Sequence, residues 1–207
     1  MKEYNFFNSK VLVFENTDVR PYDKTSNFYK KLDYELNHSD IFPIEVHGGL
    51  YQFYEKGLIE IEDFDRFFDK LYDSVEAARK QFNFSKNVIS FRRLWVNRIF
   101  TNVKSFTHNH YNYGSDPCDL IGIYYYHSEG DSAKLVFTDL NEFGIFDDQI
   151  NPSNKKELVV NTGDFVFHDP NIFHAVSRHL SDIPRICFIF ELNFLSDEDI
   201  KTTDITI

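Results

Sequence analysis

The chain has 207 residues, enough for one domain with a large core, and 17% of them are aromatic, with 23 Phe and 12 Tyr. This composition predicts a wide interior filled by rings rather than a helical bundle of Leu and Ala. The formal net charge of -11 argues against nucleic acid as a partner, and no apolar stretch approaches the ~20 residues needed to span a bilayer.

The N-terminal part of the chain predicts one strand and then helices. An apolar run between polar turn formers predicts a strand at 11–14. Apolar residues four apart predict an amphipathic helix over 26–37, and Pro43 and Gly48 predict a loop after it. At 61–84 the apolar positions keep a helical period for about six turns, which predicts a long helix.

Beyond this helix the pattern changes to short apolar runs separated by turn formers. These runs predict strands at 88–100, 119–127, 133–138, 158–168, 172–177 and 185–194. Many strands with turns between them indicate a sandwich or a barrel. We therefore expect a single, mainly β domain over 1–207, with an N-terminal strand and helical buttress at 1–88, a strand-rich core at 89–195 and a tail at 196–207.

The two cysteines indicate the redox compartment. Cys118 and Cys187 are far apart in sequence and each adjoins a β-rich run, so we expect reduced core thiols rather than a disulfide. We also expect no signal peptide, no membrane partner and a cytoplasmic location.

Histidines in the strand-rich half predict a metal site. His108 and His110 are two residues apart, so in an extended segment their side chains point to the same face. His174 lies in a distant predicted strand, and its imidazole would complete a facial set of ligands with open positions on the metal. An open set is typical of an enzyme's metal centre rather than of a closed structural site.

The order of motifs resembles the 2-oxoglutarate and iron(II)-dependent oxygenases, specifically their prolyl-hydroxylase-like branch. That family has a His-x-Asp pair, a strand similar to IYYL, a Gly-Asp turn, a distal His and an Arg shortly beyond it. The corresponding parts here are His108-Asn109-His110, the IYYY run at 123–126, Gly163-Asp164, His174 and Arg185. The resemblance covers residues 90–194 and is greatest to a small subgroup from bacteria and phages.

The resemblance implies a double-stranded β-helix, the jelly-roll core shared with cupins, with N-terminal helices packed on one sheet. It implies Fe(II) as the metal, bound by His108, His110 and His174, with 2-oxoglutarate as cosubstrate and O2 as oxidant. Arg185 would pair with the far carboxylate of 2-oxoglutarate, because its planar fork can bind a carboxylate through two hydrogen bonds.

A tyrosine hydroxyl often shares that carboxylate in similar enzymes. Alignment of the motifs points to Tyr125, while strand alternation alone leaves Tyr124 or Tyr126 open.

One position departs from the family pattern, since His110 stands where a carboxylate is usual. Asp116 or Asp119 could supply the missing carboxylate, but both lie off the two-residue spacing, so we favour three histidines. His168 is a rival ligand, which we interpret instead as a substrate-pocket residue.

The resemblance therefore implies a dioxygenase that hydroxylates an unidentified substrate and releases succinate and CO2. The substrate could be a protein side chain, an amino acid or a small metabolite, and the acidic surface favours a basic protein or peptide. Trp95, Asn97 and His168 would line its pocket. Two alternatives stay open: a cupin-type three-histidine metalloenzyme that does not use 2-oxoglutarate, and a catalytically silent jelly-roll binding protein.

Overall fold

The computed structural model describes residues 1–15, 30, 44–47, 61–110, 117–128, 132–139 and 154–202. At 44–47, 61–69 and 200–202 it describes the backbone alone. The helix predicted over 26–37 falls outside these residues except at Lys30, and so does Asp116. Among the described residues, no helix has the length and apolar character needed to cross a membrane.

The described part of the chain is mainly β, as predicted. Its strands are β1 (Lys2–Phe6), β2 (Ser9–Phe14), β3 (Ile44–His47), β4 (Val88–Ile99), β5 (Leu120–His127), β6 (Leu135–Thr138), β7 (Lys155–Leu158), β8 (Phe165–His168), β9 (Phe173–Val176) and β10 (Arg185–Leu195). Its helices are α1 (Ile61–Gln81) and α2 (Asp197–Thr202). Helix α1 confirms the long helix expected from the apolar period.

The strands form two antiparallel sheets. The larger has seven strands in the order β1-β2-β8-β5-β10-β4-β3, and the smaller has three in the order β7-β6-β9. Beside the small sheet, the backbones of His108 and His174 exchange two hydrogen bonds, with N···O distances of 2.9 and 2.8 Å. Two facing antiparallel sheets fit a jelly roll.

The central strands of the large sheet are buried on both faces. On the outer face, Leu71, Val75 and Ala78 of α1 share one buried cluster with Tyr124 and Phe190 of the sheet. These helix residues recur with the helical period, so the stripe of α1 that they form between residues 71 and 78 is fully buried.

The inner face of the large sheet packs against the small sheet. Tyr125, Val166 and Ile189 of the large sheet share a second buried cluster with Leu135 and Phe137 of β6. Side chains that point inward from β4, β5, β8 and β10 therefore project into the space between the two sheets.

Three features of the fold correct the sequence predictions. Strand β3 occupies part of the predicted loop and pairs with β4. The run at 158–168 is two strands, because the chain leaves the small sheet after Leu158 and enters the large one at Phe165. Gly163 lies in the reversal with φ 92°, a conformation that favours glycine. Strand β1 was not predicted.

Candidate metal centre

Three histidines from two segments come together beside the small sheet. His108, His110 and His174 each offer one ring nitrogen, and these nitrogens all lie within 4.8 Å of one another. The ring centroid of His174 is 4.5 Å from that of His108 and 5.2 Å from that of His110. The group thus joins the three residues predicted as ligands, and the size of the cluster suits one metal ion.

The backbone fixes the two segments against each other. His108 and His174 are paired by a β-bridge, and the backbone N–H of His110 donates to the carbonyl of Pro170 at 2.9 Å. The segment carrying His108 and His110 therefore runs along β9, which carries His174. This pairing places side chains far apart in sequence on one side of the small sheet.

Each ring of the group makes a hydrogen bond through its Nδ1. The Nδ1 of His108 lies 2.9 Å from the carbonyl oxygen of Phe106, and that of His174 lies 3.2 Å from the carbonyl oxygen of Ile172. Carbonyl oxygens only accept, so both Nδ1 atoms carry a hydrogen and both Nε2 atoms keep a free lone pair. This tautomer is the one that metal-binding histidines commonly use.

Burial keeps the imidazoles of His108 and His174 neutral. Burial, followed by the neighbouring histidines, lowers the pKa of His174 well below its usual value, and burial is also the main cause of the lowered pKa of His108. A metal ion binds the neutral ring, so His108 and His174 do not need to lose protons at neutral pH before a metal binds.

The group contains no aspartate among the described residues. The carboxylate of Asp119 accepts a hydrogen bond of 2.7 Å from the backbone N–H of Phe194, which joins the start of β5 to β10. Asp119 therefore has a structural partner of its own. Asp116, the other alternative, lies outside the described residues.

Arg185 and Tyr125 lie together on the inner face of the large sheet. The guanidinium carbon of Arg185 is 4.7 Å from the centroid of the Tyr125 ring, and Arg185 is only 1% exposed. Its Nη1 donates to the thiol sulfur of Cys187 at 3.7 Å. Both cysteines are free and buried, as the sequence predicted.

Two polar atoms of this pair are buried without a hydrogen-bond partner in the described part of the chain: the Tyr125 hydroxyl and the Arg185 Nε. Burial raises the pKa of Tyr125, so its hydroxyl stays protonated and can donate. Unpartnered buried polar groups are rare in folded proteins, and each one calls for an explanation, such as a bound ligand or water.

Strand alternation distinguishes Tyr125 from its neighbours. Tyr124 and Tyr126 belong to the outer cluster with α1, whereas Tyr125 belongs to the inner one. The Gly-Asp turn holds this strand, because the Tyr125 N–H donates to the Asp164 carbonyl at 2.9 Å and the Gly163 N–H donates to the Tyr125 carbonyl at 2.8 Å.

The three residues predicted to line the substrate pocket, Trp95, Asn97 and His168, differ from one another in their surroundings. His168 is fully buried, its ring centroid is 4.7 Å from that of His174, and its Nε2 has no hydrogen-bond partner among the described residues. Burial lowers its pKa to about 3. The Trp95 ring lies 5.6 Å from that of His110, and Asn97 pairs with Cys187 across the sheet.

Sequence reasoning missed three buried residues around the site. Glu191 of β10 is 3% exposed, and its Oε1 lies 3.3 Å from the Nδ1 of His110. His127 and His179 are also buried, and their rings bond the carbonyls of Pro184 and Ile183, just before Arg185. The detectable signal for Glu191 was an acidic residue in the interior of a mainly apolar strand.

Comparison with known proteins identifies the fold. No family model matches the chain, and no curated protein matches it. Among solved structures, HygX from Streptomyces hygroscopicus with nickel and 2-oxoglutarate bound is 13% identical at a TM-score of 0.55, covering 88% of this chain and 81% of that one.

Two further solved structures are similar. A Pseudomonas putida prolyl-4-hydroxylase is 9% identical at a TM-score of 0.54, with 90% of this chain and 93% of that chain covered. The non-heme alpha ketoglutarate dependent epimerase SnoN from nogalamycin biosynthesis is 11% identical at a TM-score of 0.56, with 89% and 76% covered. The chain therefore has the fold of the 2-oxoglutarate and iron(II)-dependent oxygenases, and the resemblance seen in its motifs is confirmed at the level of fold.

Proposed function

We propose that this protein is an iron(II)- and 2-oxoglutarate-dependent oxygenase. One observation carries the proposal: a group of three imidazoles and a buried Arg-Tyr pair with unpartnered polar atoms occur in a fold shared with HygX, which has been solved with nickel and 2-oxoglutarate bound and with iron bound. Neither the three-histidine group nor the Arg-Tyr pair alone distinguishes an oxygenase from other jelly-roll proteins.

The three histidines fit a catalytic metal. His108, His110 and His174 would bind Fe(II) through Nε2, because a hydrogen-bond acceptor occupies the Nδ1 of each ring. Three protein ligands leave coordination positions open for other molecules, as in sites that activate oxygen.

The Arg-Tyr pair fits the far carboxylate of 2-oxoglutarate. An arginine that is almost wholly buried beside an aromatic ring calls for an anion, and a carboxylate could accept from both Arg185 and Tyr125. A cupin-type enzyme without this cosubstrate has no evident use for the pair unless its own substrate is an acid.

Bound iron, with 2-oxoglutarate and O2, would supply the oxidising power, and 2-oxoglutarate would be converted to succinate and CO2. The residues of this chain bind and orient. Arg185 and Tyr125 would fix one end of the cosubstrate, the histidines would fix the metal, and the mainly aliphatic cluster between the sheets would exclude water.

Hydroxylation is the outcome that we favour, with a protein side chain, an amino acid or a small metabolite as substrate. The similar structures include both a hydroxylase and an epimerase, so the fold supports oxidative chemistry more strongly than it supports one product. Trp95, beside His110, and His168, beside His174, are the residues that we propose to contact the substrate.

The test is an anaerobic titration of the iron(II)-loaded protein with 2-oxoglutarate, followed by visible spectroscopy. We expect a weak metal-to-ligand charge-transfer band that saturates at one equivalent, because 2-oxoglutarate would bind the metal directly. His174→Ala should give no band. A wild-type protein that binds iron but develops no band would overturn the cosubstrate assignment and favour the cupin-type alternative.

A further inference from the structure

We propose that Glu191 is a positioning residue that supplies, through His110, the negative charge that a carboxylate ligand would otherwise bring to the metal. The inference deepens the proposed function and rests on the same metal group. It also explains how a third histidine can replace the expected aspartate.

The first observation is the burial of a carboxylate in an apolar strand. Glu191 lies on β10 and pairs across the sheet with Ile121 of β5 and Arg93 of β4. Its neighbours along the same face of β10 are Ile189 and Cys187, both buried. A carboxylate at such a position costs free energy unless charged or hydrogen-bonded partners compensate for its lost hydration.

The second observation is its partner. The Oε1 of Glu191 lies 3.3 Å from the Nδ1 of His110, and its Oε2 lies 3.8 Å from the Nε of Arg93. The two oxygens are thus divided between the histidine and an arginine on the neighbouring strand. This division fixes the orientation of the carboxylate and aims one oxygen at the ring.

The third observation is the contrast among the three rings. The Nδ1–H groups of His108 and His174 donate to neutral backbone carbonyls, whereas that of His110 faces a carboxylate. A carboxylate acceptor makes the opposite nitrogen more basic and holds the ring in place. The negative charge therefore lies on Glu191, which is hydrogen-bonded to the ligand His110, instead of on the ligand itself.

A double-mutant cycle on iron(II) affinity tests this role, with Glu191→Gln and His110→Asp alone and combined. Iron(II) alone is the probe, titrated anaerobically without cosubstrate. In the wild-type background, Glu191→Gln should weaken iron(II) binding about 10- to 100-fold, the usual effect of removing such a partner. In the His110→Asp background the same change should have little effect, because an aspartate ligand carries its own charge and has no Nδ1–H.

Two results would overturn the proposal: an unchanged affinity in Glu191→Gln, or an equal loss in both backgrounds, which would mean a purely structural role. Glu157→Gln, at an exposed glutamate of β7, is the matched control and should not alter iron affinity. If His110→Asp does not fold, His110→Glu provides the anionic background. Because the cycle uses no 2-oxoglutarate, failure of the oxygenase proposal would appear in the cosubstrate titration and not here.

Discussion

Each histidine of the metal group already has its Nδ1 engaged, so the free Nε2 atoms are oriented before a metal arrives. The spacing of His108 and His110 was sufficient to predict that they share a face. Their meeting with His174 depends on a β-bridge between distant segments, which the motif order suggested and spacing alone could not establish.

A matched pair of substitutions separates ligand from neighbour. His174→Ala should abolish stoichiometric iron(II) binding, because it removes one of three ligands. His168→Ala should retain it, since His168 is equally buried and adjacent but is not part of the three-histidine group. Metal analysis after anaerobic loading, with circular dichroism to verify folding, gives the comparison. Loss of iron in His168→Ala but not in His174→Ala would reverse the assignment.

Among the elements, β5 and β10 determine which side chains reach the site. Alternation along β5 sends Tyr125 inward and its two neighbours outward, but the sequence does not reveal which face is inner. The missed role of Glu191 has a similar cause. Its partner, His110, lies 81 residues earlier in the chain, so only the folded sheet brings the two together.

Gly122 of β5 is a point where the core leaves no room for a side chain. A Cβ there would lie 2.9 Å from the ring of Phe167, which is fully buried on the neighbouring strand. Gly122→Ala should therefore destabilise the protein by about 1–3 kcal/mol, the usual effect of overpacking a core. Urea unfolding measures the change, and iron stoichiometry should be unaffected because Phe167 belongs to the outer cluster. A stability equal to wild type would show that the ring can move aside freely.

At the scale of the whole molecule, the buried histidines couple stability to pH. The folded pKa of His168 is about 3, below its ordinary value of 6.5, so unfolding takes up a proton between these limits. The contribution of the neutral His168 ring to the free energy of unfolding is therefore fully present above pH 6.5 and is lost as the pH falls toward 3.

Metal-free protein should accordingly lose stability below pH 6.5, and His168→Leu should lose less. The free energy of unfolding should fall more steeply with decreasing pH in the wild type than in the variant, by about 1.4 kcal/mol per pH unit. This difference is the one expected when unfolding takes up one proton. Urea unfolding of both proteins at pH 7 and pH 5 provides the measurement. Parallel pH dependences would contradict the lowered pKa of His168.

If the buried Arg-Tyr pair binds the cosubstrate, the affinity for 2-oxoglutarate should change in Arg185 variants. Removing one partner of a buried charge pair typically costs about 3–5 kcal/mol, so Arg185→Ala should bind 2-oxoglutarate at least about a hundredfold more weakly than wild type. Arg185→Lys should recover part of the affinity, because a point charge cannot reproduce the planar fork.

Anaerobic calorimetry of the iron(II)-loaded proteins gives these affinities, and titration with iron(II) alone serves as the control. Iron affinity should stay near wild type in both variants. The metal would be bound by His108, His110 and His174, and Arg185 is not a member of that group. Equal 2-oxoglutarate affinity in wild type and Arg185→Ala, with iron bound to both, would contradict the account.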